Sequence, residues 1–228
     1  MGARTWVRVL AGPAAAGIVA TMYGAFLWAP TEATMGDIQR IFYVHVPSAW
    51  TSMVAFLIVF IGSVGYLITK NLKWDRLALA CAEIGTIFCT VVLITGPIWA
   101  KPVWGIWWTW DARLTTTLIL WLLYVSYLLL RDFLEEPARR ATLSAVFGIF
   151  AFVDVPIVYF SIRLWRTQHP QPVLMGGEDS GLDPQMFQVL MLSWVAFSVL
   201  FALLVMLRVR LEKSREAIQQ LRRELMMG

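Results

Sequence analysis

The sequence predicts an all-α integral membrane protein: a six-transmembrane-helix bundle with both termini cytoplasmic and functional loops on the opposite face. Three observations predict it. Of 228 residues, 59% are hydrophobic and 15% charged, with a mean hydropathy of +0.66, whereas a soluble domain averages roughly half apolar and about one quarter charged. A single soluble core of this length could not bury so much apolar surface. Six stretches approach the ~20 apolar residues that a helix needs to cross the hydrocarbon core. None alternates with period two, which argues against a β-barrel. A soluble enzyme, a disordered chain and a secreted disulfide scaffold are excluded on the same grounds. Cys81 and Cys89 are the only cysteines. They form no CxxC pair, so neither disulfide exchange nor a zinc ribbon is expected.

The spans run, in order, over Val9–Trp28, Val46–Ile68, Leu77–Trp99, Leu114–Leu130, Ala141–Ile162 and Gln185–Leu207. The first follows Arg4 and Arg8 as a signal peptide would. Its apolar part is too long for an h-region and no A-x-A site ends it, so it reads as a retained helix. Loop charges set the orientation. Fourteen basic residues fall on one side: Arg4, Arg8, Lys70, Lys73, Arg76, Arg131, Arg139, Arg140 and six in the tail from Arg208. Five fall on the other: Arg40, Lys101, Arg113, Arg163 and Arg166. In a soluble chain the net charge of +4 would hint at nucleic acid; here the distribution of the basic residues matters more than their total. Residues 1–207 read as the membrane domain and 208–228 as a cytoplasmic helical tail, a solvated helix end or a docking surface. Glu83 and Asp154 lie inside spans, where an ionisable group is costly. Each reads either as a satisfied helix–helix contact or as part of a path through the bundle. Pro156 is expected to kink the fifth span.

The outer segments Ala29–His45, Ala100–Arg113 and Arg163–Pro184 hold the chemistry. Five of the twelve tryptophans, Trp99, Trp104, Trp107, Trp108 and Trp110, fall within twelve residues and are followed by Asp111 and Arg113. Two readings fit: an interfacial aromatic belt, or a binding platform. Indole rings present large, rigid apolar faces, suited to a wide planar ligand such as a porphyrin. Gly105 would let the backbone approach it, and Arg113 could pair with a carboxylate at its rim. The two histidines, His45 and His169, both fall on this face. Each reads as a structural residue or as an axial ligand of haem iron. Zinc would need three or four ligands, and nothing nearby supplies them convincingly.

The string Trp104-Gly105-Ile106-Trp107-Trp108-Thr109-Trp110-Asp111, continued by Ala112-Arg113-Leu114-Thr115, resembles the WWD signature of a haem-handling superfamily, with the loop at residues 99–115. The chain length, the six spans, His45-Val46-Pro47 and Trp165-Arg166-Thr167-Gln168-His169 are similar to its CcmC family. That resemblance implies a bacterial inner-membrane protein that is a haem-binding and transfer component of cytochrome c maturation, not an enzyme. It implies haem b held as cargo on the periplasmic side, against Trp104, Gly105, Trp107, Trp108, Trp110 and Asp111, with His45 and His169 as axial ligands. Arg40 and Arg113 become candidates for pairing the propionates or steering the recipient. The implied partners are the haem chaperone CcmE, the ABC-type ATPase subunits CcmA and CcmB, the small membrane protein CcmD, and membrane lipid. The chain has no GxxxxGK[ST] loop, so any ATP-driven step belongs to a partner. The rival functions are a small-molecule or haem transporter, which should show inverted repeats and broken helices at mid-membrane, and a haem-attachment enzyme, which must bind a CxxCH segment.

Overall fold

The computed structural model describes residues 3–170 and 181–227. Among the described residues there are seven α-helices: α1 (Ala3–Tyr23), α2 (Phe42–Thr69), α3 (Leu72–Trp104), α4 (Ala112–Asp132), α5 (Pro137–Phe152), α6 (Asp154–Leu164) and α7 (Pro184–Met227). Among the described residues there is no strand longer than an isolated bridge between Glu32 and Gly36. Six segments are long and apolar enough to cross a membrane, with α5 and α6 together forming the fifth. All six expected spans are present, and from the second onward the helical segments outrun their apolar windows at both ends. Hydropathy marks where side chains suit lipid; hydrogen bonding carries the helix further.

The α2–α3 hairpin lies at the centre. Its connection is tight: Lys70 adopts a left-handed conformation (φ 54°) and the Asn71 side chain caps α3 by accepting from the Lys73 N–H at 3.0 Å. The two helices approach closely at Gly85, where a Cβ would come within 2.8 Å of Ala55 Cβ. Around this pair, α1 packs on α7, α5 and α7 pack on α2, and α4 packs on α3, α5 and α6. The main core joins Phe56, Val59, Cys81, Ala82, Phe88, Leu120, Tyr124 and Phe201, with Phe56 stacked on Tyr124 at 3.6 Å between ring centroids. Both cysteines are free thiols buried there.

Two interruptions shape the face that carries the tryptophan loop. α1 ends in a wide π-type turn over Gly24–Trp28, closed by the Ala29 N–H donating to the Gly24 carbonyl at 2.8 Å. The chain then enters α2 through a 3₁₀ turn, Asp37–Ile41. The fifth span breaks at Val153, three residues before the proline expected to kink it. Pro156 has no N–H to offer the Phe152 carbonyl and its ring crowds that oxygen, so the helix parts just beyond Phe152.

Ion pairs gather at the opposite end. Arg131 grips Asp75 with two hydrogen bonds, 2.6 and 2.8 Å, both side chains being buried. Arg208 joins Glu83 (Nη2–Oε1 2.8 Å) and Glu212 (2.7 Å), and Arg76 meets Glu216 at 2.7 Å. Glu83 is therefore held in a helix–helix ion pair. Asp154 is buried, and its Oδ2 has no hydrogen-bond partner. α7 continues unbroken from its apolar half into the charged tail, 44 residues in all.

Candidate functional site

The tryptophan segment is less of a loop than its sequence suggests. α3 runs through Pro97 and Pro102 to Trp104, and only the seven residues from Gly105 to Asp111 are irregular. Gly105 ends the helix at φ 78°, a conformation that glycine adopts without a Cβ penalty. Its N–H donates to the Lys101 carbonyl at 3.0 Å, and the Lys101 ammonium returns to the Gly105 carbonyl at 2.8 Å. At the other end Asp111 caps α4. One carboxylate oxygen accepts from the Leu114 N–H (3.1 Å) and the other from the Thr109 hydroxyl (2.9 Å).

Between these ends the indoles divide. Trp107 and Trp110 are 58% and 77% exposed, large apolar faces open to their surroundings. Trp108 is half-buried, meets Trp110 edge-to-face at 5.7 Å, and has a buried Nε1 without a partner. Trp104 is half-buried at the end of α3. Trp99 lies deeper on the same helix, edge-on to both His45 (5.8 Å) and Phe42 (6.1 Å), and its Nε1 is also buried and unpaired.

His45 lies in the first turn of α2, not before the helix, and is 9% exposed. The 3₁₀ turn ahead of it brings Phe42 and His45 onto Trp99. Its Nδ1 is 2.8 Å from the hydroxyl of Thr95 on α3. His169 lies after α6, at a bend just before Pro170. Its backbone N–H donates to the Thr167 hydroxyl at 3.0 Å, and its Nδ1 donates to the Pro170 carbonyl at 2.9 Å. A carbonyl only accepts, so His169 carries its hydrogen on Nδ1 and leaves Nε2 with a free lone pair. Burial, and secondarily the Arg113 guanidinium, push the His169 imidazole down to about 4, so it is neutral at physiological pH.

The two imidazoles, separated by more than a hundred residues of sequence, lie within electrostatic range of each other and of Arg113. Arg113 reaches α6, where its Nη1 donates to the Val158 carbonyl at 2.6 Å while its Nε is buried and unpaired. Thr109, Asp111, Arg166, Thr167 and Gln168 line a cleft of about 300 Å³, where the end of the tryptophan segment meets the residues just before His169. Arg40 stands apart. Its guanidinium ties the π turn to the 3₁₀ turn, contacting Asp37 (3.0 Å), Thr31 (3.3 Å) and the Ala25 carbonyl.

Thr95, the Val158 carbonyl and Thr109 were not singled out in the sequence. Thr95 stands in an apolar run with no motif around it, and only the packing of α2 on α3 brings it to His45. Part of the third outer segment, residues 171–180, lies outside the described residues.

Comparison with known proteins gives consistent matches. Residues 2–224 match the model of a family described as heme exporter protein C. The chain is 35% identical over 216 residues to the heme exporter protein C of Bradyrhizobium diazoefficiens, covering 94% of this chain and 82% of that protein. It is 34% identical over 205 residues to the Escherichia coli K12 protein of that name, covering 86% and 81%. A ccmC-like mitochondrial protein of Marchantia polymorpha, named for cytochrome c biosynthesis, is 34% identical over 185 residues, covering 81% and 78%.

Proposed function

Because the chain belongs to the heme exporter protein C family, we propose that it binds haem on its periplasmic face and delivers it for cytochrome c maturation. Haem b is its cargo, not a resident cofactor. His45 and His169 supply the axial nitrogens. Trp104, Gly105, Trp107, Trp108, Trp110 and Asp111 form the platform, and Arg113 the polar rim, with Arg40 bracing the neighbouring loop. The recipient is the chaperone CcmE. CcmA and CcmB supply the ATP-driven step, CcmD joins the assembly, and the chain itself performs no catalysis. The setting is the bacterial inner membrane, both termini cytoplasmic, with residues 1–207 as the haem-handling domain and 208–228 as the tail.

One observation carries this reading: Trp99 meets His45 edge-on at 5.8 Å, and the cleft of Thr109, Asp111, Arg166, Thr167 and Gln168 joins the segment of exposed indoles to the residues just before His169. The donor set suits haem. Imidazole nitrogens bind its iron, and Trp107 and Trp110 offer flat apolar faces. The buried and unpaired Nε1 atoms of Trp99 and Trp108, with Nε of Arg113, are donors in want of acceptors, and haem propionates are acceptors. Removing the macrocycle's apolar faces from water would contribute about 25 cal/mol per Å². Because Trp110 and Trp107 are open rather than enclosed, an edge of the bound haem stays accessible to a recipient. At least one axial bond must be exchangeable for transfer.

The test is absorption spectroscopy of the detergent-purified protein, co-expressed with CcmE, as wild type, His45→Ala and His169→Ala. A Soret band that shifts or vanishes in each variant supports the reading. A wild type that carries no haem under haem-replete conditions overturns it.

A further inference from the structure

The 2.8 Å contact between His45 Nδ1 and Thr95 Oγ1 does not by itself say which atom supplies the hydrogen. The surroundings of Thr95 do. Its hydroxyl owns a single hydrogen and lies 2.7 Å from the Val91 carbonyl, one turn back along α3. A carbonyl has no hydrogen to give, so the hydroxyl donates there and is left with lone pairs alone. The hydrogen between Thr95 and His45 therefore belongs to His45 Nδ1. In the neutral ring this leaves the lone pair on Nε2.

The same helix repeats the device with an unambiguous partner. Thr90 donates to the Thr86 carbonyl at 2.8 Å and receives the Trp121 Nε1–H at 2.8 Å. An indole nitrogen can only donate. α3 thus carries two threonines that each turn their hydrogen back into the helix and accept a ring N–H from a neighbouring helix. One holds a tryptophan in place; the other holds a histidine.

We infer that Thr95 is a positioning residue for haem ligation: it fixes the tautomer and orientation of His45, leaving Nε2 as the ligating nitrogen. The inference rests on the haem-binding reading above, with His45 as an iron ligand. It also sets the character of that ligand. Metal-bound histidines usually donate their second N–H to a carboxylate, a carbonyl or water, which raises their basicity. A carboxylate would draw the Nδ1 hydrogen strongly and make the ring a strong donor to iron. A neutral hydroxyl is a milder acceptor than a carboxylate, even when donating to a carbonyl polarises it, so His45 stays a neutral imidazole of moderate donor strength. That is appropriate for cargo to be released.

The experiment compares wild type, Thr95→Val, Thr95→Ser and His45→Ala in the full chain, titrated with haem b in detergent. Valine preserves the branched shape on a membrane helix and removes only the hydroxyl. Thr95→Val is expected to weaken haem binding by about 10–100-fold and to raise the haem midpoint potential as ligand donation falls. Thr95→Ser is expected to restore both. A haem-free readout accompanies these: nitrogen-15 spectra in a His169→Ala background, where His45 is the sole imidazole. They should show a hydrogen on Nδ1 with Thr95 present and a mixture of tautomers in Thr95→Val. Should Thr95→Val keep the affinity, potential and tautomer of wild type while His45→Ala loses the haem band, the Thr95 role is overturned and ligation by His45 stands. Should His45→Ala leave the haem spectrum unchanged, ligation by His45 falls, and the positioning role falls with it.

Discussion

Asp111 offers the sharpest test of how the tryptophan segment works, because its carboxylate performs two structural tasks. One oxygen caps α4 and the other holds the Thr109 hydroxyl. Replacing it with alanine removes a helix cap worth about 1 kcal/mol and a charge-assisted hydrogen bond at a half-exposed position, worth about another 1 kcal/mol. The loss of about 2 kcal/mol falls on the seven residues from Gly105 to Asp111, between α3 and α4. Converted to a population of binding-competent loop, it corresponds to about a 30-fold loss of haem affinity. Asparagine is a different matter. It caps helices as well as aspartate does, its oxygen can accept from the Leu114 N–H, and its amide can donate to Thr109. Asp111→Asn should therefore bind haem within about threefold of wild type. The assay is haem titration of the two variants, followed by absorption, with helix content checked by circular dichroism. An Asp111→Asn protein as defective as Asp111→Ala would refute the reasoning, since the negative charge, and not the cap, would then be what the site requires.

The ion pairs and the imidazoles carry three further predictions. Asp75→Asn leaves the Arg131 guanidinium buried without its counter-charge, so thermal or denaturant unfolding in detergent should show a loss of about 3–5 kcal/mol; pairing it with Arg131→Met should recover most of that. His169, pushed down to about 4 mainly by burial and then by Arg113, should keep its neutral-ring resonance in haem-free protein from pH 7 to pH 5. The unfolded chain takes up that proton near pH 6.5, so the native state loses this contribution to stability as pH falls from there toward 4. Arg113→Gln should move the His169 titration upward; an unmoved midpoint would place Arg113 outside its field.

The arrangement of spans was legible because the lipid requirement is written residue by residue in hydropathy. Its limits show at the ends. Trp99 closes the third apolar window, yet α3 continues to Trp104, since hydrogen bonding does not stop where lipid compatibility does. His45 stands just before the second apolar window and lies within α2 for the same reason. The tryptophan string and the two histidines were legible as residue types gathered on one face. Their mutual placement was not, because it depends on how α2, α3 and α6 pack. Arg131 illustrates the remaining gap: it was counted among loop charges, and only the packing of α4 on α3 brings it to Asp75. Thr95 had no sequence signal at all.

The break at Val153 has a mechanical counterpart at the site. His45 is mounted on an unbroken 28-residue helix that forms half of the central hairpin. His169 trails an 11-residue segment that is joined to the rest of its span at a single interrupted turn. The two imidazoles thus come to the site from supports of different kind: one from the central hairpin, the other from beyond the break, on a segment that Arg113 ties to α4 through the Val158 carbonyl. Under the haem-binding proposal, the two ligands would differ in how firmly the bundle holds them.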